Sequence, residues 1–278
     1  MINPGSAPKL VATDVDGTLI NSSERVPQRL REVITRMTAQ GVTLALSTGR
    51  PPRWIHLVLD QLSVQPICVC ANGAVLYDSA KDEIIAAHTL SSAVMKNTVM
   101  AARVALESHG GMSIAVERAG KSAYDAAEEL FLVTPEYSHA WPSDEHGIVS
   151  EDEVLAEPAT KLLLRSDHLE SKELFDIVRA AVPVDQVHVT FSMSGGLIEI
   201  AAPGVTKALG VSMLAEQLNI AREDVITFGD MPNDIEMLQW AGRGIAMGNA
   251  RPEVKAVADH ITGTNDDAGV ADILEWWF

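Results

Sequence analysis

Short apolar runs alternate with stretches of helical periodicity at both ends of this chain. Lys9-Leu10-Val11-Ala12-Thr13 reads as a short apolar strand. Behind Pro27, residues Leu30, Val33, Ile34 and Met37 recur at helical spacing, and Gly41 follows their end. That pattern predicts a helix opened by proline and closed by glycine. Residues 42–47 form a second, almost continuously apolar run, as expected of a strand covered on both faces. Strand, helix and strand make a βαβ unit, and hence a parallel sheet. Ile67–Cys70 adds a third strand.

The tail resumes this style. Residues 206–218 have a helical pattern, and Val225-Ile226-Thr227-Phe228-Gly229 is another buried-type strand. A further helix starts at Asp234, and residues 244–247 form one more short strand. The apolar end, Ile273-Leu274-Glu275-Trp276-Trp277-Phe278, is expected to be a terminal helix packed on its own core. The middle differs. From about residue 83 to 201, strands near residues 112–116, 162–164 and 187–191 have polar flanks, with helices near 91–108 and 171–181. Ser194-Gly195-Gly196 separates 187–191 from Leu197-Ile198-Glu199-Ile200, which predicts a hairpin. The reading is α/β: a Rossmann-like parallel-sheet core formed by residues 1–83 and 202–278, with an inserted α+β domain at 84–201.

Composition narrows the function classes. A net charge of -17 excludes a nucleic-acid groove, which needs clustered Lys and Arg. It also means that any bound phosphate must be held by local cations, since salt screens the overall field beyond roughly 10 Å. No apolar run is long enough to cross a bilayer, and the first six residues lack the pattern of a signal peptide, so a cytoplasmic protein is expected. The only two cysteines, Cys68 and Cys70, read as buried free thiols of a reducing compartment.

Three buried-type strands run directly into polar residues. The first ends at Asp14-Val15-Asp16-Gly17-Thr18, the second at Ser47-Thr48-Gly49-Arg50, and the third at Gly229-Asp230-Met231-Pro232-Asn233-Asp234. Open parallel sheets bind ligands at the carboxyl ends of their strands, so these positions converge. Carboxylates crowded at an apolar sheet edge require a cation, and oxygen-only donors select a hard ion such as Mg2+. Lys207 begins a predicted helix, an unusual place for a cation given the helix dipole, and is the candidate partner for a phosphate.

The motif set Asp14–Thr18, Thr48, Lys207 and Gly229–Asp234 resembles, in order and spacing, that of the haloacid dehalogenase superfamily of phosphatases. Ser47-Thr48-Gly49-Arg50, Asn72-Gly73-Ala74, Met247-Gly248-Asn249-Ala250 and residues 265–270 are similar to its Cof-type subfamily, whose large α/β cap (type IIB) is inserted where the α+β segment lies. The resemblance implies a Mg2+-dependent phosphatase of small phosphorylated metabolites, sugar or polyol phosphates favoured. Asp14 would be the nucleophile and Asp16 the acid and base. Asp14, Asp230 and the Asp16 carbonyl would ligate the metal, Thr48 and Lys207 would hold the phosphoryl group, and Asp234 would orient Lys207 or a metal-bound water. Gly49 would bring its amide near the phosphate. Arg50 would reach the substrate or the cap, Asn233 the phosphate or a helix cap, and Asn72 the site or merely a turn. His139, Trp141, Arg165 and His188 are candidate selectivity residues of the insert. A sugar phosphomutase on the same core, or a binding protein without turnover, are the alternatives.

Overall fold

The computed structural model describes residues 5–139 and 144–278. The chain divides into two compact units, one comprising residues up to Ile85 with Thr206–Phe278, the other Ala86–Val205.

The first unit is built on a sheet of eight strands, at whose centre Leu10–Thr13 lies between Thr43–Ser47 and Val225–Gly229. Ile67–Cys70 continues the parallel array beyond Thr43–Ser47, and Arg243–Ala246 and His260–Ile261 continue it on the other side. The register sets Thr13 beside Leu46 and Phe228, so the three chains leave the sheet side by side. Val75–Asp78 then folds back antiparallel on Ile67–Cys70, and Glu83–Ala87 forms the edge. The apolar runs became central strands because both sheet faces are covered: Leu10–Thr13 and Val225–Gly229 are buried at every position.

Gln28–Ala39 buries Leu30, Val33, Ile34 and Met37 and packs with Gly269–Leu274. Lys207–Gln217 packs with Ile235–Trp240. The terminal helix stops at Leu274, with Ile273 and Leu274 buried. The final aromatics lie beyond it: the Trp277 indole donates to the Gly5 carbonyl at 3.1 Å and stacks under Arg243. Cys68 and Cys70 are buried and unbridged.

The second unit has a six-stranded sheet in which Lys161–Arg165 pairs antiparallel with both Ser113–Glu117 and Leu197–Ala201. His188–Thr190 and Leu197–Ala201 form the expected antiparallel pair. Phe131–Val133 and Gly147–Ile148 add a parallel pair that short, polar-flanked segments did not announce. Helices Ser92–Leu106 and Ser171–Ala181 pack over one side of this sheet, on a core that includes Ile114, Leu162, Leu164, Ile198 and Ile200. The alternate residues Lys161 and Glu199 form a buried ion pair at 2.6 Å.

Candidate active site

The site of the first unit lies where strand order reverses about Leu10–Thr13, since the following strands are laid down to one side and the later ones to the other. Asp14 leaves this strand with its amide still bonded to the Phe228 carbonyl at 3.0 Å, and it is 5 % exposed. Asp230 leaves the neighbouring strand and is equally enclosed.

Lys207 is brought to them by the turn after Ile67–Cys70. There Asn72 takes a left-handed conformation and Gly73 has φ +94°. A Cβ on Gly73 would fall 1.9 Å from the Thr206 carbonyl, so the missing side chain is what lets the start of Lys207–Gln217 approach. Thr206 caps that helix through its hydroxyl. The Lys207 ammonium, 1 % exposed, donates to Asp14 Oδ1 at 2.5 Å and to Asp234 Oδ1 at 2.6 Å.

Asp234 Oδ2 accepts from the backbone amides of Asp230 and Met231 at 2.9 and 3.0 Å. It is therefore Asp234, not Asn233, that caps this turn, and both its oxygens are engaged. Asn233 donates instead to Asn72 Oδ1 at 2.9 Å, and its own buried Oδ1 has no partner among the described residues. Asn72 in turn donates its amide to the Thr48 carbonyl at 3.0 Å. Thr48 is fully buried, and its hydroxyl oxygen accepts from the Arg50 amide at 3.0 Å, which leaves the hydroxyl proton for another acceptor. Gly49 is half-buried between them.

Asp16 stands apart from the buried carboxylates. It is half-exposed and pairs with the Arg50 guanidinium, Oδ2 to Nε at 2.9 Å and Oδ1 to Nη2 at 2.5 Å. Among the sequence candidates, then, Asp14, Lys207, Asp230 and Asp234 are in one contact set. Thr48, Asn72 and Asn233 form a chain of hydrogen bonds beside it, and Asp16 and Arg50 meet each other.

Three residues that sequence reasoning left without a role complete the arrangement. The Thr18 hydroxyl donates to Asp230 Oδ1 at 3.0 Å. The Asn249 amide donates to the Gly17 carbonyl at 2.8 Å, and the Asn265 side chain donates to the Ile20 carbonyl at 3.0 Å while its backbone amide holds Asn249. Together these asparagines fasten the loop that carries Asp16. Their only sequence signal was membership of the tail motifs.

Burial is the largest influence on the Asp14 and Asp230 carboxylates. It raises Asp14 well above the ordinary range, with Lys207 opposing and Asp234, Asp230 and Asp16 adding to the rise. Asp230 is pushed up to about 7 by burial and by Asp234, against Thr18 and Lys207. Burial works against the Lys207 charge, yet Asp14 and Asp234 together raise it above its usual value. Oxygens of Asp14, Asp230 and Asp234 lie within 4.8 Å of one another, a grouping that fits a metal ion. With Asp234 already committed, Asp14 and Asp230 are the carboxylates with oxygens to offer, and an all-oxygen set suits a hard cation.

Of the selectivity candidates in the second unit, Arg165 bonds the carbonyls of Ser138 and Ser166 at 3.2 Å and so supports its own loop. His139 packs between Tyr137 and His146, and neither ring nitrogen has a partner among the described residues. His188 sits opposite Ala201 in the hairpin. Trp141 lies outside the described residues.

Comparison with known proteins agrees with this architecture. The family model for haloacid dehalogenase-like hydrolases matches residues 11–274. The chain is 30 % identical over 277 residues to the 5-amino-6-(5-phospho-D-ribitylamino)uracil phosphatase YitU of Bacillus subtilis, covering 98 % of each chain. It is 28 % identical to the HMP-PP phosphatase of Cronobacter sakazakii, covering 97 % of this chain and 95 % of the relative. A haloacid dehalogenase-like hydrolase from Bacteroides thetaiotaomicron superposes with a TM-score of 0.70 at 29 % identity, covering 98 % of this chain and all of the other.

Proposed function

Because this chain belongs to the haloacid dehalogenase-like hydrolases and is a phosphatase, we propose that it hydrolyses phosphate monoesters of small metabolites through a phosphoryl group carried on Asp14. The observation that carries this reading is the pairing of Asp14 with Lys207. One Asp14 oxygen is fixed by the ammonium, and the other accepts no hydrogen bond among the described residues, so it is free to attack phosphorus.

In the first step the Asp14 oxygen forms its bond to phosphorus as the ester P–O bond breaks. Asp16 gives its proton to the departing oxygen. In the second, the water oxygen forms its bond to phosphorus while Asp16 takes its proton, the bond between phosphorus and the Asp14 oxygen breaks, and inorganic phosphate leaves. Lys207 and the free proton of the Thr48 hydroxyl offset and orient the charge on the phosphoryl oxygens. Asp234 keeps Lys207 in place. The carboxylates of Asp14 and Asp230, with the Asp16 carbonyl, would hold Mg2+, which supplies further positive charge to the phosphoryl group.

Sugar or polyol phosphates are the favoured substrates. The phosphoribityl group in the name of the Bacillus relative is a phosphorylated polyol, which supports that choice. The first unit would carry the chemistry and the insert the choice of leaving group, with His139 and His188 among its candidate readers. Among the described residues no helix is long and apolar enough to cross a membrane, in keeping with a cytoplasmic metabolite enzyme. The test is phosphate release over a panel of sugar, polyol, nucleotide and cofactor phosphates, with Mg2+ and with chelator. Activity that survives complete metal removal, or a panel with no cleaved ester, would reject the reading.

A further inference from the structure

Proton transfer needs a carboxylate held in one place, and nothing in its own burial holds Asp16. Its side chain is 54 % exposed, whereas that of its partner Arg50 is only 20 % exposed. An aspartate half in water samples several rotamers, and a misplacement of about 1 Å costs on the order of 10²-fold in rate. The isolated bridge between Asp16 and Ile20 and the Asn249 and Asn265 bonds fix the backbone of this loop but leave the side-chain torsions free.

The Arg50 backbone is held on both sides, and its largely buried side chain is tied by one further bond. Its amide donates to Thr48 Oγ1, its carbonyl accepts from the Ala71 amide at 3.0 Å, and Nη1 donates to the Trp54 carbonyl at 3.3 Å. From that anchorage Nε and Nη2 meet the two Asp16 oxygens side by side. Such a fork fixes both the position and the plane of a carboxylate, which a single ammonium cannot do. Each Asp16 oxygen keeps its outward lone pair. The cation that Asp14 and a phosphoryl group require is already present as Lys207, so the guanidinium is free for this second task.

We propose that Arg50 is a positioning residue, which aims the Asp16 carboxylate at the leaving oxygen and at the hydrolytic water. The inference rests on Asp16 being the acid and base of the proposed reaction. Arg50 acts only through Asp16, so its removal costs proton transfer and spares both phosphate binding and attack by Asp14.

A double-mutant cycle of Asp16→Asn and Arg50→Met tests this with two esters. Glycerol phosphate has an alkoxide leaving group that must be protonated. 2,4-Dinitrophenyl phosphate releases a phenolate that needs no proton, and its pre-steady-state burst reports attack alone. Arg50→Met should lower kcat on glycerol phosphate by about 10²-fold, within the range of general acid–base catalysis. It should leave the dinitrophenolate burst rate and inhibition by inorganic phosphate unchanged. In the Asp16→Asn background it should cost nothing more. Arg50→Lys, which keeps the charge and most of the packing, should show a smaller loss with the same non-additivity, and it replaces Arg50→Met in the cycle if that variant does not fold. Equal losses on both esters with weakened phosphate inhibition would make Arg50 a phosphate ligand and overturn the proposal. So would additive losses in the double variant. An Asp16→Asn enzyme with full activity on glycerol phosphate would instead reject the acid–base role of Asp16 itself.

Discussion

Lys207 is the cation that joins Asp14 to Asp234, with 2.5 and 2.6 Å contacts in a place that water does not reach. Buried charges are tolerated only when paired, and here one ammonium serves two carboxylates while Asp230 adds a third acid nearby. Lys207→Met should therefore abolish turnover and also destabilise the metal-free fold by about 3–5 kcal/mol, the usual cost of leaving a buried charge unpaired. Urea unfolding in chelator measures the second effect. A loss below about 1 kcal/mol would place this lysine among ordinary surface pairs.

The proposed metal binding should depend on pH in a direction set by Asp230. Its pKa, pushed up to about 7 in the folded chain, exceeds the ordinary aspartate value of 3.8, so between those values the folded state holds more protons than the unfolded one. Stability of the metal-free protein accordingly falls as pH rises through that window, and the full penalty is present above about 7. A divalent cation relieves the penalty by binding the ionised form. The gain in Tm on adding Mg2+ should be larger at about pH 8 than at about pH 5.5. Equal gains at both would remove Asp230 from the ligand set.

Much of this arrangement could be read from residue patterns, and the exceptions have a common cause. The central strands were legible because burial on both faces leaves an unbroken apolar signature, as in Val225–Gly229. Asp14, Asp230 and Lys207 were legible because strand ends and helix starts have recognisable positions. Val75–Asp78 was not, since a short strand after an Asn-Gly turn can pair or not depending on its neighbour. Glu83–Ala87 alternates between exposed and half-buried residues at the sheet edge, so no buried-type run marks it as part of the sheet. The pairing of Asp16 with Arg50 joins residues 34 apart in sequence through side-chain torsions, which no spacing rule encodes. Asn249 and Asn265 act on backbone carbonyls, so beyond their place in the tail motifs nothing in the sequence shows what they support.

Gly17 offers a way to disturb the metal site without touching a ligand. It has φ +76°, and a Cβ there would lie 2.5 Å from Asp230 Oδ2. Gly17→Ala should weaken Mg2+ binding measured by calorimetry, because Asp230 must move off Thr18. Gly41 is the control: its φ is +86°, but a Cβ there meets nothing within 4 Å. Gly41→Ala pays the backbone strain alone, on the order of 1 kcal/mol. If the two variants bind Mg2+ equally, the crowding at Gly17 has no bearing on the site.

The proposed division of labour between the units can be tested by exchange. The unit Ala86–Val205 has its own apolar core around Leu162, Leu164 and Ile198, so it has the means to fold when carried on another chain. Every residue assigned to phosphoryl transfer lies outside it. A chimera with residues 86–205 taken from a relative of different substrate preference should keep hydrolysis of an aryl phosphate within about tenfold, since Asp14, Asp16, Thr48, Lys207 and Asp230 are unchanged. Its order of preference over the ester panel should follow the donor of the insert. A chimera that folds, retains aryl phosphatase activity and keeps the recipient's preference would move selectivity to the first unit. In that case the residues around Arg50 and Asn72 become the places to look for it.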